Sequence, residues 1–337
     1  MIAKPESFNG APSGKSMKEN GFQLGFPEED IARVGLSLGS TKIDITSARV
    51  ADYMERTGDD NTDVNKKRIY EKFAPATLFP NHSSIEMSWF LPNMHGNLHA
   101  QQEWYFYNAI PIGVNVLATR TIVDRYNKRG RTYVVCESSF SDENGGKLYA
   151  RSLQHQSFLE DQSKNAVEAW KTGTSKKTSG TVIKKVRKEI ITPDNDGGEY
   201  VEKFGPITRQ ASVALCEKYA GAPTGKGFGN GHLDTDEADG MGFPGIVVVG
   251  TLSVCFLSEL LTKRFGLGYV EGGSLDIKFT RPLWLGCTVE AYGIIRNYEQ
   301  HGERKKAICE VWCKSSDGSV TIVGTASAFE QNNLGKL

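Results

Sequence analysis

The chain lacks an excess of either charge, because 40 Lys and Arg residues balance 40 Asp and Glu residues over 337 positions. That balance gives no reason to expect binding to nucleic acid or to a membrane surface. A long apolar run is also missing. The segment from Met1 to about Leu24 is polar, without the apolar core of a signal peptide. The most apolar stretch, Gly245–Leu261, predicts a buried helix rather than a membrane span, because it is interrupted by Thr251, Ser253, Ser258 and Glu259.

Metal-binding and disulfide patterns are missing as well. The six cysteines form no C-x-x-C pair and have no His at metal-ligand spacing. We therefore expect buried, reduced thiols in a cytoplasmic protein, with no metal and no cofactor. The cysteines are Cys136, Cys216, Cys255, Cys287, Cys309 and Cys313.

What the sequence does contain is an internal repeat. Six residues of the first half recur in the second half at one offset, 173, without a gap. A single offset held over 40 residues indicates a duplicated structural unit. Farther upstream, Ile45-Thr46 and Gly58 match Ile207-Thr208 and Gly221, which gives the second copy about ten extra residues between its first helix and its sheet. The six pairs are Phe106/Phe279, Gly113/Gly286, Val116/Val289, Cys136/Cys309, Glu137/Glu310 and Gly145/Gly318.

Both copies predict the same order of elements: a helix, a Gly- and Asp-rich loop, a second helix, then strands rich in Val, Ile, Thr and aromatic residues. The helices are predicted at Ser47–Arg56, Ser83–Phe90, Arg209–Tyr219 and Thr251–Phe265. The strands are predicted at Gln102–Tyr107, Val114–Tyr126, Thr132–Ser139, Leu148–Phe158, Ser274–Phe279, Thr288–Tyr298, Lys305–Lys314 and Val320–Phe329. Long antiparallel strands after a buried helix favour an α+β fold of two tandem units, each a sheet wrapped around its central helix.

Composition sets the expected boundaries of these units. A flexible N-terminus covers residues 1–25, and the first unit covers residues 26–160. A Lys-, Ser- and Thr-rich linker follows over residues 161–204, with one strand predicted at Tyr200–Phe204. The second unit covers residues 205–337.

The motifs on these units resemble those of the MaoC-like double-hotdog proteins, the group of (R)-specific enoyl-CoA hydratases and dehydratases. In the second copy, His232-Leu-Asp234 and Ala238 fit the family's H-x-D-x-x-x-A. Gly242-Phe243 follows at the expected step, and Gly250 takes the place of the glycine that opens the central helix. In the first copy, Thr57-Gly58-Asp59-Asp60-Asn61 fits T-G-D-x-N. The resemblance covers residues 45–159 and 207–329.

Each copy keeps only part of the pattern. In the second copy, glycines 227 and 229 stand where the family has Asp and Asn, and Val249 replaces a histidine. Asn230, two residues before His232, is a shifted candidate for the missing amide. In the first copy, Val64 stands in the place of the histidine.

The resemblance implies a reaction and a set of roles. Water is added to a 2-enoyl thioester or removed from a 3-hydroxyacyl thioester, which needs an acid/base group of near-neutral pKa and a donor for the thioester oxygen. His232 is expected to be the acid/base and Asn230 to orient it. The Gly250 N–H is expected to polarise the carbonyl, with Phe243 as a wall of the pocket. The first-copy candidates are Asp59 and Asn61 for catalysis and His82 and Ser83 for substrate binding.

A structural role competes with each assignment. His232 can bond backbone in a Gly-rich loop, and Asn230, Asp59 and Asn61 fit ordinary turns. A direct pair of Asp59 with His232 is not expected, because a twofold axis between the copies separates their loops.

Three functions therefore stay open. The first is a hydratase or dehydratase, the second is a thioesterase or another lyase or isomerase, and the third is a non-catalytic acyl-binding subunit. The expected partner is an acyl-CoA or acyl-carrier thioester, and we allow for a homodimer.

Overall fold

The computed structural model describes residues 33–79, 98–159, 192–220 and 245–331, together with His232, Ala238 and Phe243. The helices of this part of the chain are α1 (Ser47–Thr57), α2 (Val64–Tyr70), α3 (Val213–Ala220), α4 (Gly250–Phe265) and α5 (Leu267–Val270). The strands of the first half are β1 (Ser37–Asp44), β2 (Leu98–Phe106), β3 (Asn115–Lys128), β4 (Arg131–Asp142) and β5 (Leu148–Leu159). Those of the second half are β6 (Glu202–Gln210), β7 (Ser274–Phe279), β8 (Thr288–His301), β9 (Arg304–Ser315) and β10 (Val320–Phe329).

All ten strands form one antiparallel sheet in the order β1-β3-β4-β5-β2-β7-β10-β9-β8-β6. The two halves of this order mirror each other, and the pairing of β2 with β7 joins them. In that pair Glu103 lies opposite Asp276, its own partner in the repeat. A pseudo-twofold axis therefore passes between these two residues.

The strand register confirms the offset of 173. β3 and β8 each carry a bulge at the same place in the repeat, between Ile122 and Asp124 and between Ile295 and Asn297. The paired glycines Gly113 and Gly286 both have positive φ, of 93° and 87°, which explains why glycine recurs there.

The upstream alignment of the repeat is wrong by four residues. Ile45 N–H donates to Val114 O and Ala211 N–H donates to Cys287 O, so Ala211 rather than Ile207 is the equivalent of Ile45. The neighbours Thr46 and Ser212 agree, since each caps the helix that follows it. The second copy is therefore longer by seven residues between its first helix and its sheet, rather than by about ten.

One predicted helix needs correction, and two further elements were missed. The helix predicted from Arg209 begins only at Val213, because residues 202–210 pair with β8 as strand β6. The strand β1 and the helix α2 were not predicted at all. The helix predicted at 83–90 lies outside the described residues.

Helix α4 is the core of the second unit. Thirteen of its 16 residues are buried, including polar ones, because the sheet lies on one side and the first unit on the other. None of the helices in the described part of the chain has both the length and the apolar character needed to cross a bilayer. All six cysteines are free thiols, and only Cys287 is more than slightly accessible.

Candidate functional site

The candidate site is built around the N-terminus of α4. Val249 precedes the helix without any side-chain cap, and Gly250 is its first residue. A Cβ on Gly250 would lie 2.8 Å from Phe279 Cε1, so only glycine allows this close packing. The first N–H groups of a helix carry partial positive charge, which favours a developing oxyanion.

His232 is held next to that helix end by a hydrogen bond to Val247, which lies three residues before Gly250. Its Nδ1 donates to Val247 O at 2.6 Å. A carbonyl can only accept, so Nδ1 holds the proton and Nε2 has the lone pair. Burial is the main cause that lowers the pKa of His232, which keeps the ring neutral at pH 7. The half-buried ring is thus in the state that a general base needs.

The other second-copy candidates are only partly described. Phe243 N–H donates to Ala238 O at 2.9 Å. Asn230 lies outside the described residues, so its orienting role stays a prediction.

The first-copy candidates Asp59 and Asn61 lie in a different place. Asp59 is 8% exposed and accepts from Asn61 N–H at 2.8 Å. The ammonium of Lys66 binds Asp59 and also donates to Glu259 Oε1 of α4 at 2.9 Å. Arg209 completes the group by donating to both oxygens of Glu259. This buried ion network connects α2 to α4. Asp59 is therefore more than a residue of an ordinary turn, because its carboxylate is buried and paired.

The ion network contacts the middle of α4 at Glu259, whereas His232 bonds Val247 just before the helix begins. Glu259 lies nine residues after Gly250, which corresponds to roughly 13 Å along a helix. Asp59 is therefore not paired with His232 in this geometry. A catalytic role for Asp59 and Asn61 stays a prediction that the contacts do not favour.

His82 and Ser83 lie outside the described residues. The backbone nevertheless shows which first-copy residue corresponds to Gly250. Phe73 bridges to Pro111 as Val247 bridges to Trp284, so the position of Gly250 is occupied by Ala76. This is seven residues before Ser83, the residue that the sequence suggested.

Sequence reasoning missed a polar stripe on α4, formed by Thr251, Cys255 and Glu259 at a spacing of four residues. Tyr219 OH donates to Thr251 Oγ1 at 2.9 Å and lies 3.7 Å from Cys255 Sγ. Its repeat partner Tyr53 makes the same bond, at 2.9 Å, to Thr77, the equivalent of Thr251. Burial raises the pKa of Cys255 to about 11, so this thiol is not a nucleophile at neutral pH.

Among the described residues, no three His, Cys, Asp or Glu side chains come together in a way that could hold a metal ion. The described part of the candidate site therefore consists of the N-terminus of α4 and His232.

Solved structures with a similar fold identify the architecture. A MaoC-like dehydratase has a TM-score of 0.64 at 15% identity, over 89% of this chain and 99% of that one. A MaoC-like dehydratase from Phytophthora capsici has a TM-score of 0.58 at 15% identity, over 91% and 99%. A Mycobacterium tuberculosis protein described as a double hotdog has a TM-score of 0.51 at 9% identity, over 91% and 99%. The chain has the double-hotdog fold of the MaoC-like dehydratases.

No family model and no curated protein sequence matches the chain. The predicted α+β double hotdog is confirmed. At such low identity the likeness establishes the fold alone, so the chemistry of this double hotdog has to be argued from its site.

Proposed function

We propose that this double hotdog adds water to a 2-enoyl thioester, or removes it from a 3-hydroxyacyl thioester. The observation that carries the proposal is the neutral, anchored imidazole of His232 beside the N-terminus of α4, where the N-cap residue Val249 makes no side-chain bond. One group takes protons and the other binds negative charge, which are the two requirements of the reaction.

The hydration step uses these groups in one sequence. The thioester oxygen accepts a hydrogen bond from Gly250 N–H, which makes the β-carbon electrophilic. His232 Nε2 takes a proton from water while the water oxygen bonds to the β-carbon, and enolate charge collects on the thioester oxygen. The imidazolium then returns the proton to the α-carbon. The bond between Nδ1–H and Val247 O stabilises the imidazolium between these two events.

The test is hydration of a panel of 2-enoyl-CoA esters, measured as the loss of absorbance from the conjugated double bond. The proposal expects His232→Ala to lower kcat by about 10²–10⁴-fold. His301→Ala is the matched control, because His301 is half exposed at the tip of the β8–β9 hairpin. Equal rates for wild type and His232→Ala would refute the role of His232.

One observation favours a second candidate, a thioesterase. The partner of Nδ1 is a backbone carbonyl, and the sequence has glycine at position 227, where the family has a carboxylate. A histidine whose Nδ1 bonds a backbone carbonyl can also direct water at the thioester carbonyl itself. Release of free CoA thiol with the double bond intact would favour that reaction. Binding of esters without either reaction would favour an acyl-binding subunit.

A further inference from the structure

The face of the sheet that α4 covers in the second unit differs in chemistry from the corresponding face in the first unit. In the second unit this face is apolar and shallow, with Leu275, Gly293, Gly324 and Ala326 at its centre. A shallow face lets α4 pack directly on the strands.

The first unit has polar side chains at the same positions. Register makes Gln102 the equivalent of Leu275 and Gln154 the equivalent of Ala326, since Gln102 pairs with Gln154 as Leu275 pairs with Ala326. Arg120 takes the place of Gly293 in the same way. We call this surface the polar face; its residues are Gln102, Arg120, Ser152, Gln154 and Gln156, all no more than 7% exposed.

Side chains of the polar face form hydrogen bonds with one another, but some of their buried polar atoms have no partner among the described residues. Gln102 Nε2 donates to Ser152 Oγ, and Arg120 donates to Gln154 Oε1. Gln102 Oε1 and the neighbouring Trp104 Nε1 are both buried, and neither has a hydrogen-bond partner among the described residues. A buried acceptor and a buried donor left unpaired cost about 1–3 kcal/mol each. A ligand that carries hydrogen-bonding groups would remove that cost.

A chain of contacts links the polar face to the proposed reaction site. The ring of Phe279 packs on Gly250 at the start of α4. Its centroid lies 4.6 Å from that of His99, which belongs to the first unit. His99 stands three residues before Gln102 on β2, and its buried Nε2 also has no partner within the described ranges. Phe279 and His99 therefore form a continuous contact from Gly250 to the strand that carries Gln102.

We propose that the polar face binds the acyl chain of the substrate, and that this chain carries a hydroxyl, keto or amide group rather than being a plain alkyl chain. The inference rests on the proposed function, since it places the thioester carbonyl at Gly250. A site built to bond such a group discriminates against an analogue that lacks it.

The experiment compares two 2-enoyl-CoA esters of equal chain length, one with an alkyl tail and one with a keto or hydroxyl group in the tail. Wild type is expected to have a kcat/KM at least about tenfold higher for the polar ester. Gln102→Leu and Gln154→Ala, which install the residues of the second unit, are expected to reverse that preference. Gln101→Leu is the matched control, because Gln101 lies on the opposite face of the same strand and bonds Asp276.

A second measurement separates this inference from the proposed function. Binding of the two saturated acyl-CoA esters, which cannot be hydrated, is measured by calorimetry. Tighter binding of the polar ester that is lost in Gln102→Leu supports the polar face even if no ester is hydrated. Equal binding of both esters, or an unchanged preference in both variants, would overturn the inference while leaving hydration by His232 intact. Gln102→Leu is expected to fold, because it removes the unpaired buried Oε1 and installs the residue that the second unit has at this position.

Discussion

Lys66→Met removes the cation that holds the two units together inside the protein. Lys66 is fully buried and binds Asp59 of its own unit and Glu259 of α4. Without the ammonium, two buried carboxylates remain near each other, and among the described residues only Glu259 keeps a cationic partner, Arg209. Loss of one member of a buried ion group costs about 3–5 kcal/mol. With an unfolding entropy of about 2.1 cal/mol/K per residue over 337 residues, Tm falls by roughly 4–7 °C.

The loss of stability depends on pH in a defined direction. Burial, followed by the charge of Asp59, already raises the pKa of Glu259. Removing Lys66 raises it further, so the folded variant binds protons more tightly than the unfolded chain. A carboxylate with a raised folded pKa destabilises the fold as pH rises through that pKa. The Tm deficit of Lys66→Met is therefore larger at pH 8 than at pH 5.

Calorimetry at both pH values tests this reasoning. Glu55→Gln is the control, because it breaks the exposed ion pair with Lys218 between the same two units and is expected to leave Tm nearly unchanged. Adding Asp59→Asn to Lys66→Met is expected to restore part of the loss, since it removes the unpaired charge. A Tm for Lys66→Met equal to that of wild type at pH 8 would show that the network does not stabilise the junction.

Three further predictions concern the end of α4. The acid limb of the kcat/KM profile has its midpoint below pH 6.5, because burial lowers the pKa of His232; a midpoint at or above 6.5 would contradict that assignment. Gly250→Ala is expected to lower kcat by about tenfold or more, because the added Cβ would collide with Phe279. Gly245→Ala is the control and is expected to keep full activity, since the nearest atom to its Cβ is 4.0 Å away. Equal rates for the two variants would argue against Gly250 as the donor. Tyr219→Phe removes a buried hydrogen bond to α4 and lowers stability by about 1 kcal/mol in denaturant unfolding, and no change would exclude a stabilising role.

The strands of the repeat were predictable because their side-chain pattern is local. The bounds of β7 and β10 match the prediction, and α4 begins only one residue earlier than expected. Segments rich in β-branched and aromatic residues between Gly-containing turns are readily recognised as strands. An offset that holds without a gap also fixes the register between the copies.

The edges of the sheet were not predictable in the same way. β1 has small and polar residues and is mostly exposed, so its sequence has little alternation to detect. β6 leads into α3 after only two residues, and its Ile-Thr pair resembled the wrong pair in the first copy. Backbone bonds, rather than residue identity, establish the correct equivalence there.

The candidate site was predictable only where a motif names the residue. His232 and Gly250 came from the family pattern, and the structure places both at the end of α4. The bond from Lys66 to Glu259 joins residues 193 positions apart in the chain, and no local sequence pattern predicts such a contact. The polar face was also missed, because alternation alone predicts a buried face but not the packing of glutamines within it.

Incorporation of heavy oxygen from labelled water tests the central claim most directly. Wild type and folded Asp59→Ala are expected to place the label on the β-carbon of a 2-enoyl-CoA ester, and His232→Ala is expected not to. Label found only in the carboxyl group of a released acid, or label retained at the β-carbon in His232→Ala, would contradict it.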